Sequence, residues 1–435
     1  MKIQKASAQD KPIKTIKKTV LETKKDIINN EVNSRYIGDF SQEETMAYYD
    51  NLNNDMRHYR TKDDICTPME CVKVMIDYLP EELWKRNDLK ILEPCAGNGN
   101  LGAYCKYKTD INNIWFNELN IKRVKNCKEL LNPKNLRHED FFKLDGVWDT
   151  KYDLIMANPP YSGGGNKNQS LSNKFIEKSI DMLKDKGYLC YVTPNNWMTY
   201  NNNNTTLRKL LNEGSFLVID NDVKKYFPNV GSSFTIIIWQ KNVYDNKTYV
   251  VNNFLKKDIQ KDVVIPSDLN FIPLYISQEV LKIIPKLVID KRNNFDYRCD
   301  LHNYTKKDLL SDTKDNVFKY KTIHTMRKIR YAKKKQDIYD KWIIVIPLST
   351  YYIPVIEHHT NTTQSVGYIP FGNKVEAKRY LKKIEKPEYK LIVHLTRYGN
   401  FNNIMVLKHL DFDDDISFTK KEAKEISLLT SLIKY

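Results

Sequence analysis

The stretch "KILEPCAGNGNLG", Lys90 to Gly102, joins a short apolar run to a glycine-rich loop. "KILEP" has the composition of a buried strand, and "GNGNLG" fits G-x-G-x-x-G letter for letter, the turn through which a strand hands over to a helix in dinucleotide-binding folds. About twenty positions further on, Glu118 stands where such folds keep a ribose-binding carboxylate. Taken alone, these features predict a pyrophosphate on a helix N-terminus and hydride transfer from NAD. The rest of the chain decides whether the loop cradles NAD or a different nucleoside.

Around the loop, short apolar segments alternate with helical ones. Strands are expected at 90–94, 114–118, 136–140, 153–158, 188–193, 216–220 and 234–239. Between them lie helical patterns such as Phe175–Lys184, where Phe175, Ile176, Ile180 and Leu183 share one side. Ahead of the loop, Val72, Met75, Ile76 and Leu79 recur at helical spacing, with Pro68 in the first turn, where proline is tolerated. This alternation predicts an α/β fold, a Rossmann-like doubly wound sheet of seven mostly parallel strands. No helix separates the last two strands, so they should pair antiparallel. After Val243 the pattern changes to irregular strands and Asn- and Lys-rich loops. The expected organisation is a polar basic tail (1–40), a first domain (41–245) and a mixed α+β domain (246–435), the two domains each with its own core. "WIIVIPLSTYYIPVI", Trp342–Ile356, reads as two buried strands.

The formal net charge is +16, and residues 251–435 hold 33 Lys and Arg against 22 Asp and Glu, so most of the excess lies in the second half. That distribution suits a polyanion, most simply nucleic acid. A composition rich in Lys, Asn, Ile and Tyr is the bland alternative. The seven cysteines form no C-x-x-C pair and no zinc-spaced Cys/His group, which predicts no metal. Scattered cysteines, with no signal-peptide pattern and no apolar run of membrane-spanning length, predict an intracellular, reducing setting and no membrane partner.

"ANPPY", Ala157–Tyr161, ends the fourth expected strand, at the end of the sheet where doubly wound folds bind ligands. Pro159 and Pro160 stiffen the backbone and remove donors, leaving carbonyl oxygens free to accept. Asn158 adds a side-chain carbonyl and Tyr161 an aromatic face. Two acceptors and a ring suit a planar group that bears an NH2.

With "EPCAGNGN" upstream, "NPPY" resembles the S-adenosylmethionine-dependent methyltransferases that modify exocyclic amines, specifically the DNA adenine-N6 enzymes. The order of parts is similar to the gamma class (TaqI-type), over roughly residues 60–242: "CTPMECVKVMIDYL", the glycine loop, "FNEL", "HEDFF", "NPPY", "GYLCYVTPNNWMT" and "YFPNVGSSFTIIIWQK". The resemblance implies S-adenosyl-L-methionine as cofactor, held by Thr67, Glu93, Ala96, Gly97, Gly99, Glu118, Asp140, Phe141 and Asn158. Within that set Glu118 would take the ribose hydroxyls, Asp140 the adenine amine, Phe141 the adenine ring and Thr67 the methionine carboxylate. It also implies a flipped-out adenine held by Asn158 and the Pro159 carbonyl, between Tyr161 and Phe227. Lys224, Lys225 and the Gly-Ser-Ser turn beside Phe227 suggest a phosphate-facing loop. "SGGGNKNQS", Ser162–Ser170, is expected to order on DNA.

The second half would then read sequence in double-stranded DNA. Val317–Gln336 carries eight Lys and Arg and no acid, which nominates Arg327, Lys328, Arg330, Lys333, Lys334 and Lys335 as DNA contacts. "DFDDDI", Asp411–Ile416, reads as a surface turn, and neither "EAK" follows a Pro-Asp strand, so any cognate restriction endonuclease would be a separate chain. The enzyme is expected to act as a monomer. Rival readings are an N-P-P-Y methyltransferase acting on a protein glutamine or a ribosomal RNA guanine, and a catalytically silent DNA-binding protein. Nothing in the NAD reading uses Asn-Pro-Pro-Tyr.

Overall fold

The computed structural model describes residues 36–53, 66–161, 171–200, 204–230, 233–245, 247–299, 309–348, 352–398, 402–412 and 416–434. The expected basic tail, apart from its last residues, and the Ser162–Ser170 segment lie outside this set, as does the middle of Asp411–Ile416.

The principal sheet contains β1 (Ile91–Glu93), β2 (Ile114–Asn117), β3 (Asn135–Arg137), β4 (Tyr152–Ala157), β5 (Leu183–Pro194), β6 (Gly214–Asp220), β7 (Phe234–Lys241), β8 (Thr248–Phe254) and β9 (Lys256–Val263). Their order across the sheet is β3-β2-β1-β4-β5-β7-β6-β8-β9. Strands β1 to β5 run parallel to one another, and β7 inserts antiparallel between β5 and β6. The sheet thus has nine strands rather than seven. The added pair, β8 and β9, sits at the edge, and β9 reads "KKDIQKDV", largely exposed. Charged edge strands discourage pairing with other chains, and for the same reason they lack the apolar run that reveals a central strand.

Alternate residues of the central strands feed two separate cores. Ile91, Leu154, Met156, Cys190, Val192, Ile236 and Ile238 face one side, against the helices Met69–Asp77, Asn100–Cys105 and Ile121–Leu131. The four residues expected on the first helix are all buried, with Pro68 at its N-cap. Leu92, Ile155, Ala157, Leu189, Tyr191, Ile237 and Trp239 face the other side, in a core that continues through Phe271, Tyr275, Ile344, Leu391 and Leu429. The second half therefore shares this large core with the sheet, adds a smaller separate cluster of its own (Ile323, Ile338, Ile343, Val345, Val366 and Tyr368), and carries the sheet itself past residue 245. Beyond it lie a four-stranded sheet, β10 (Leu310–Ser311), β11 (Tyr320–Thr325), β12 (Lys328–Ala332) and β15 (Asn361–Thr362), and a three-stranded one, β13 (Trp342–Pro347), β14 (Val355–Glu357) and β16 (Val366–Phe371). The two strands expected in Trp342–Ile356 are β13 and β14, paired antiparallel.

At the amino ends of the central strands, Asp153 is nearly buried and accepts from Lys90 N at 2.9 Å, Arg86 at 2.8 Å and Lys184 at 2.8 Å. Burial by itself raises this carboxyl, but Lys184, the Lys90 N–H and Arg86 outweigh it and hold it below the usual range. A depressed folded-state pKa contributes stability above the unfolded value, lost as pH falls through the folded one. Because both cations are partly exposed, Asp153→Ala should cost only about 1–2 kcal/mol at neutral pH. In urea titrations the gap from wild type should close below about pH 4. A gap independent of pH would mean that packing, not charge, makes the difference.

Candidate active site

Strands β1 and β4 are neighbours, with Ile91 opposite Leu154 and Leu92 opposite Ile155, so the loops after Glu93 and Ala157 leave the sheet side by side. Between β1 and β4 the strand order reverses, the switch point at which open α/β sheets bind ligands. The glycine loop and the N-P-P-Y tetrapeptide are those two loops, and Cys95 Sγ lies 3.5 Å from the Asn158 carbonyl oxygen.

Within the glycine loop, Gly97 has φ +58° and Gly99 φ +87°, left-handed values that side chains disfavour. A Cβ on Gly99 would also fall 2.6 Å from Leu131 Cδ1. Ala96 N donates to Asn117 O at 2.8 Å, fastening the loop to β2. Glu93 is fully buried beneath the loop and accepts from Gly102 N at 3.0 Å. Burial pushes its carboxyl up to about 8, against the pull of the Gly102 and Leu101 N–H groups. Its place is that of a support under the loop.

Glu118 accepts from Gly97 N at 2.8 Å and from Asn120 N at 2.7 Å, joining the loops that follow β1 and β2. A carboxylate has about four lone-pair sites, so ribose hydroxyls can share it with these amides. The Gly97 amide is thus already engaged by the Glu118 side chain and is not free to bind a pyrophosphate. Asp140, beyond β3, accepts from Phe142 N at 3.0 Å and caps a short turn. Phe141, expected to face an adenine ring, is instead buried and stacks on Phe175, with centroids 4.8 Å apart. Phe142 (39% exposed) and Leu119 (51% exposed), next to Asp140 and Glu118, offer the open apolar faces there. The sequence hid this choice, because Phe141 and Phe142 are adjacent in a turn with no period to rank them.

In the tetrapeptide, Asn158 Nδ2 donates to Thr67 Oγ1 at 3.1 Å, and the Tyr161 hydroxyl donates to Asn158 Oδ1 at 2.8 Å. Thr67 therefore orients the Asn158 amide, and its carbonyl oxygen accepts from Asn100 Nδ2 at 2.9 Å. Tyr161 packs against Phe234 at 5.1 Å, and Phe234 against Phe227 at 4.9 Å. Phe227 is 2% exposed, so it is a core ring here and presents no free face. Phe234 fills the space between the two rings that were expected to bracket a base. Burial raises the Tyr161 hydroxyl well above its usual pKa, keeping it a donor. Beside them Lys225 pairs with Asp222 at 3.0 Å; Gly231 and Ser232 lie outside the described residues.

Of the basic run, Arg327 sits exposed at the turn between β11 and β12. Lys328 and Arg330 both pair with Asp312, at 3.0 and 2.7 Å, and Lys335 pairs with Asp340 at 2.9 Å. Arg330 is 14% exposed and also donates to Leu310 O, which ties it to its own sheet and leaves it poorly placed to reach a base edge. Lys333 and Lys334 are exposed. Among the described residues, no helix is long and apolar enough to cross a membrane, and no group of three or more His, Cys, Asp or Glu could hold a metal ion.

Residues 83–227 match the family described as the Eco57I restriction-modification methylase. The chain is 27% identical over 134 residues to the release factor glutamine methyltransferase of Mycoplasma mycoides subsp. mycoides SC, covering 29% of this chain and 48% of that one. It is 24% identical over 300 residues to the type II methyltransferase M.HincII of Haemophilus influenzae, covering 62% and 57%. It spans less than two thirds of either relative. The restriction-modification enzyme MmeI, type IIL, solved in complex with DNA, shares the fold across 88% of this chain and 72% of its own, at TM-score 0.57 and 9% identity. The family match takes in a third of the chain and both loops of the switch point, and the similarity of residues 83–227 to Eco57I-type restriction-modification methylases implies S-adenosyl-L-methionine as their cofactor.

Proposed function

We propose that the chain is a site-specific DNA methyltransferase of the gamma, TaqI-like kind, acting on the N6 amine of an adenine flipped out of duplex DNA within a restriction-modification system. The observation that carries this reading is the Asn158 amide, oriented by Thr67, with Oδ1 held against a displaceable hydroxyl beside the glycine loop. Residues 246–435 would recognise the target. The similarity to a glutamine methyltransferase supports a second reading, but it covers 29% of the chain against 62% for the type II enzyme.

The N6 lone pair of adenine is delocalised into the ring and attacks poorly. Asn158 Oδ1 and the Pro159 carbonyl would accept the two amine hydrogens and favour a pyramidal nitrogen with a localised pair. Such preorganised acceptors act on charge that develops only in the transition state. The bound cofactor supplies an electrophilic methyl group. Glu118 and the glycine loop would fix its position, so that proximity and alignment provide the remainder. The methylated ammonium then releases its proton to solvent. Flipping the base costs about a few kcal/mol, offset by stacking on Tyr161. For the base to enter, the Tyr161 hydroxyl must first leave Asn158 Oδ1.

Asn158→Ala should lower turnover on duplex DNA by on the order of a hundredfold or more, with cofactor affinity kept within a few-fold. Near-normal turnover would sink the mechanism. Tyr161→Phe keeps the ring and vacates Oδ1, so its turnover should stay within several-fold of wild type and its KM for DNA should not rise. A collapse matching that of Asn158→Ala would instead put the hydroxyl in the chemistry. Thermal melting should be raised by S-adenosylhomocysteine and not by NAD, and less so in Glu118→Ala, through binding linkage. Stabilisation by NAD alone would overturn the nucleoside assignment.

A further inference from the structure

Four of the eight cations in Val317–Gln336 are paired with acids from outside that run: Lys321 with Glu357, Lys328 and Arg330 with Asp312, and Lys335 with Asp340. The outer face of another element in the same half is different. The helix Lys374–Ile384 buries Ala377 and Ile384 and packs Tyr380 against Phe295 and Phe371, with ring centroids at 4.6 and 5.1 Å. Opposite lie Lys374, Lys378, Arg379 and Lys382, all exposed. None of these four has an acidic partner among the described residues. Lys374, Lys378 and Lys382 follow one another at four-residue spacing, about 6 Å per step along the axis.

Lys374 occupies the first position of the helix, where the macrodipole disfavours a cation. It lies over the Trp342 ring, 4.9 Å from the centroid. Trp342 stacks on His358 at 4.3 Å and 4°, and the row continues through His359, Tyr339 and Tyr320 at spacings of 3.7, 5.9 and 5.4 Å. Lys319 lies over Tyr320, and Lys333 over Phe318. An ammonium held on a ring keeps its outward donors and has lost part of its side-chain freedom in advance. Each then has less entropy to lose when it meets an anion.

We propose that the outer face of Lys374–Ile384, continued across the ring row to Lys319 and joined by the ring-held Lys333, tracks the phosphate backbone of the duplex. The proposal rests on the DNA reading above and moves the main backbone contact from the acid-paired cations of β11 and β12 to this helix. Charge complementarity carries it: exposed cations without an acidic partner, of which Lys374, Lys319 and Lys333 are held on rings, in a half that holds most of the net charge of +16.

The test is a salt titration of binding to duplex DNA with the full chain and S-adenosylhomocysteine present. Removing three phosphate contacts with Lys374→Gln, Lys378→Gln and Lys382→Gln should make the log–log slope shallower by up to about 2.7 units and weaken binding at least about tenfold near 0.1 M salt. The cofactor-induced melting shift should be unchanged. A control removes the same charge from another exposed helix of this half, with Lys420→Gln, Lys421→Gln and Lys424→Gln, and should keep the wild-type slope. A wild-type slope in the first variant, or an equal change in the control, overturns the proposal while leaving the methyltransferase reading standing. Loss of binding to single-stranded RNA with duplex binding intact would also overturn it, giving the face to RNA. Wild-type protein that fails to bind duplex even at low salt would remove both.

Discussion

The site depends on one adjacency, the parallel pairing of β1 with β4 at the point where the strand order reverses. It sends two loops with different chemistry out of the same edge of the sheet. One is left-handed at two glycines, which a β-carbon would strain, and the other is stiffened by two prolines. Burial on both faces makes the adjacency rigid. Leu92, Ile155 and Ala157 point into one core and Ile91, Leu154 and Met156 into the other, so sliding either strand by one residue would exchange both faces.

On that frame the polar groups are mutually engaged. Glu118 takes two backbone N–H groups, Glu93 takes a third from below, and Thr67 orients the amide of Asn158. The glycine loop is therefore preformed. The tetrapeptide is preformed too, but in a self-satisfied state, since Tyr161 holds the oxygen that a substrate amine would need. Behind it Phe234 packs between Tyr161 and Phe227. On the proposed reading, an entering base would displace the Tyr161 hydroxyl from Asn158 Oδ1 and part of this ring contact.

Charge follows a similar logic in the second half. A run of eight cations without an acid looks free when only near neighbours along the chain are considered. In the fold, Asp312, Asp340 and Glu357 come from neighbouring segments to meet four of them. The helix Lys374–Ile384 carries a similar number of exposed cations and meets none of these acids, because its buried side is apolar and its outer side is turned away from the sheet pairings.

The sequence by itself determined the local features: the alternation of strands and helices, the first helix with its proline, the glycine loop, the tetrapeptide at a strand end and Glu118. Each is written in short-range pattern, in a period or a turn requirement that neighbouring residues must satisfy. Tertiary structure decided the rest. The polar edge strands β8 and β9 joined the sheet by backbone pairing, which requires no apolar signature. The largest core ran through both halves because helix and strand faces beyond residue 245 had a sheet face to cover, and only a small cluster around Ile343 and Val345 stands apart. Phe141 and Phe227 went inward while Phe142 stayed out, since which ring a turn buries depends on what packs behind it. Which cations remain available to a polyanion was likewise decided by acids distant in the chain. Ion pairing acts through space, and sequence separation does not record it.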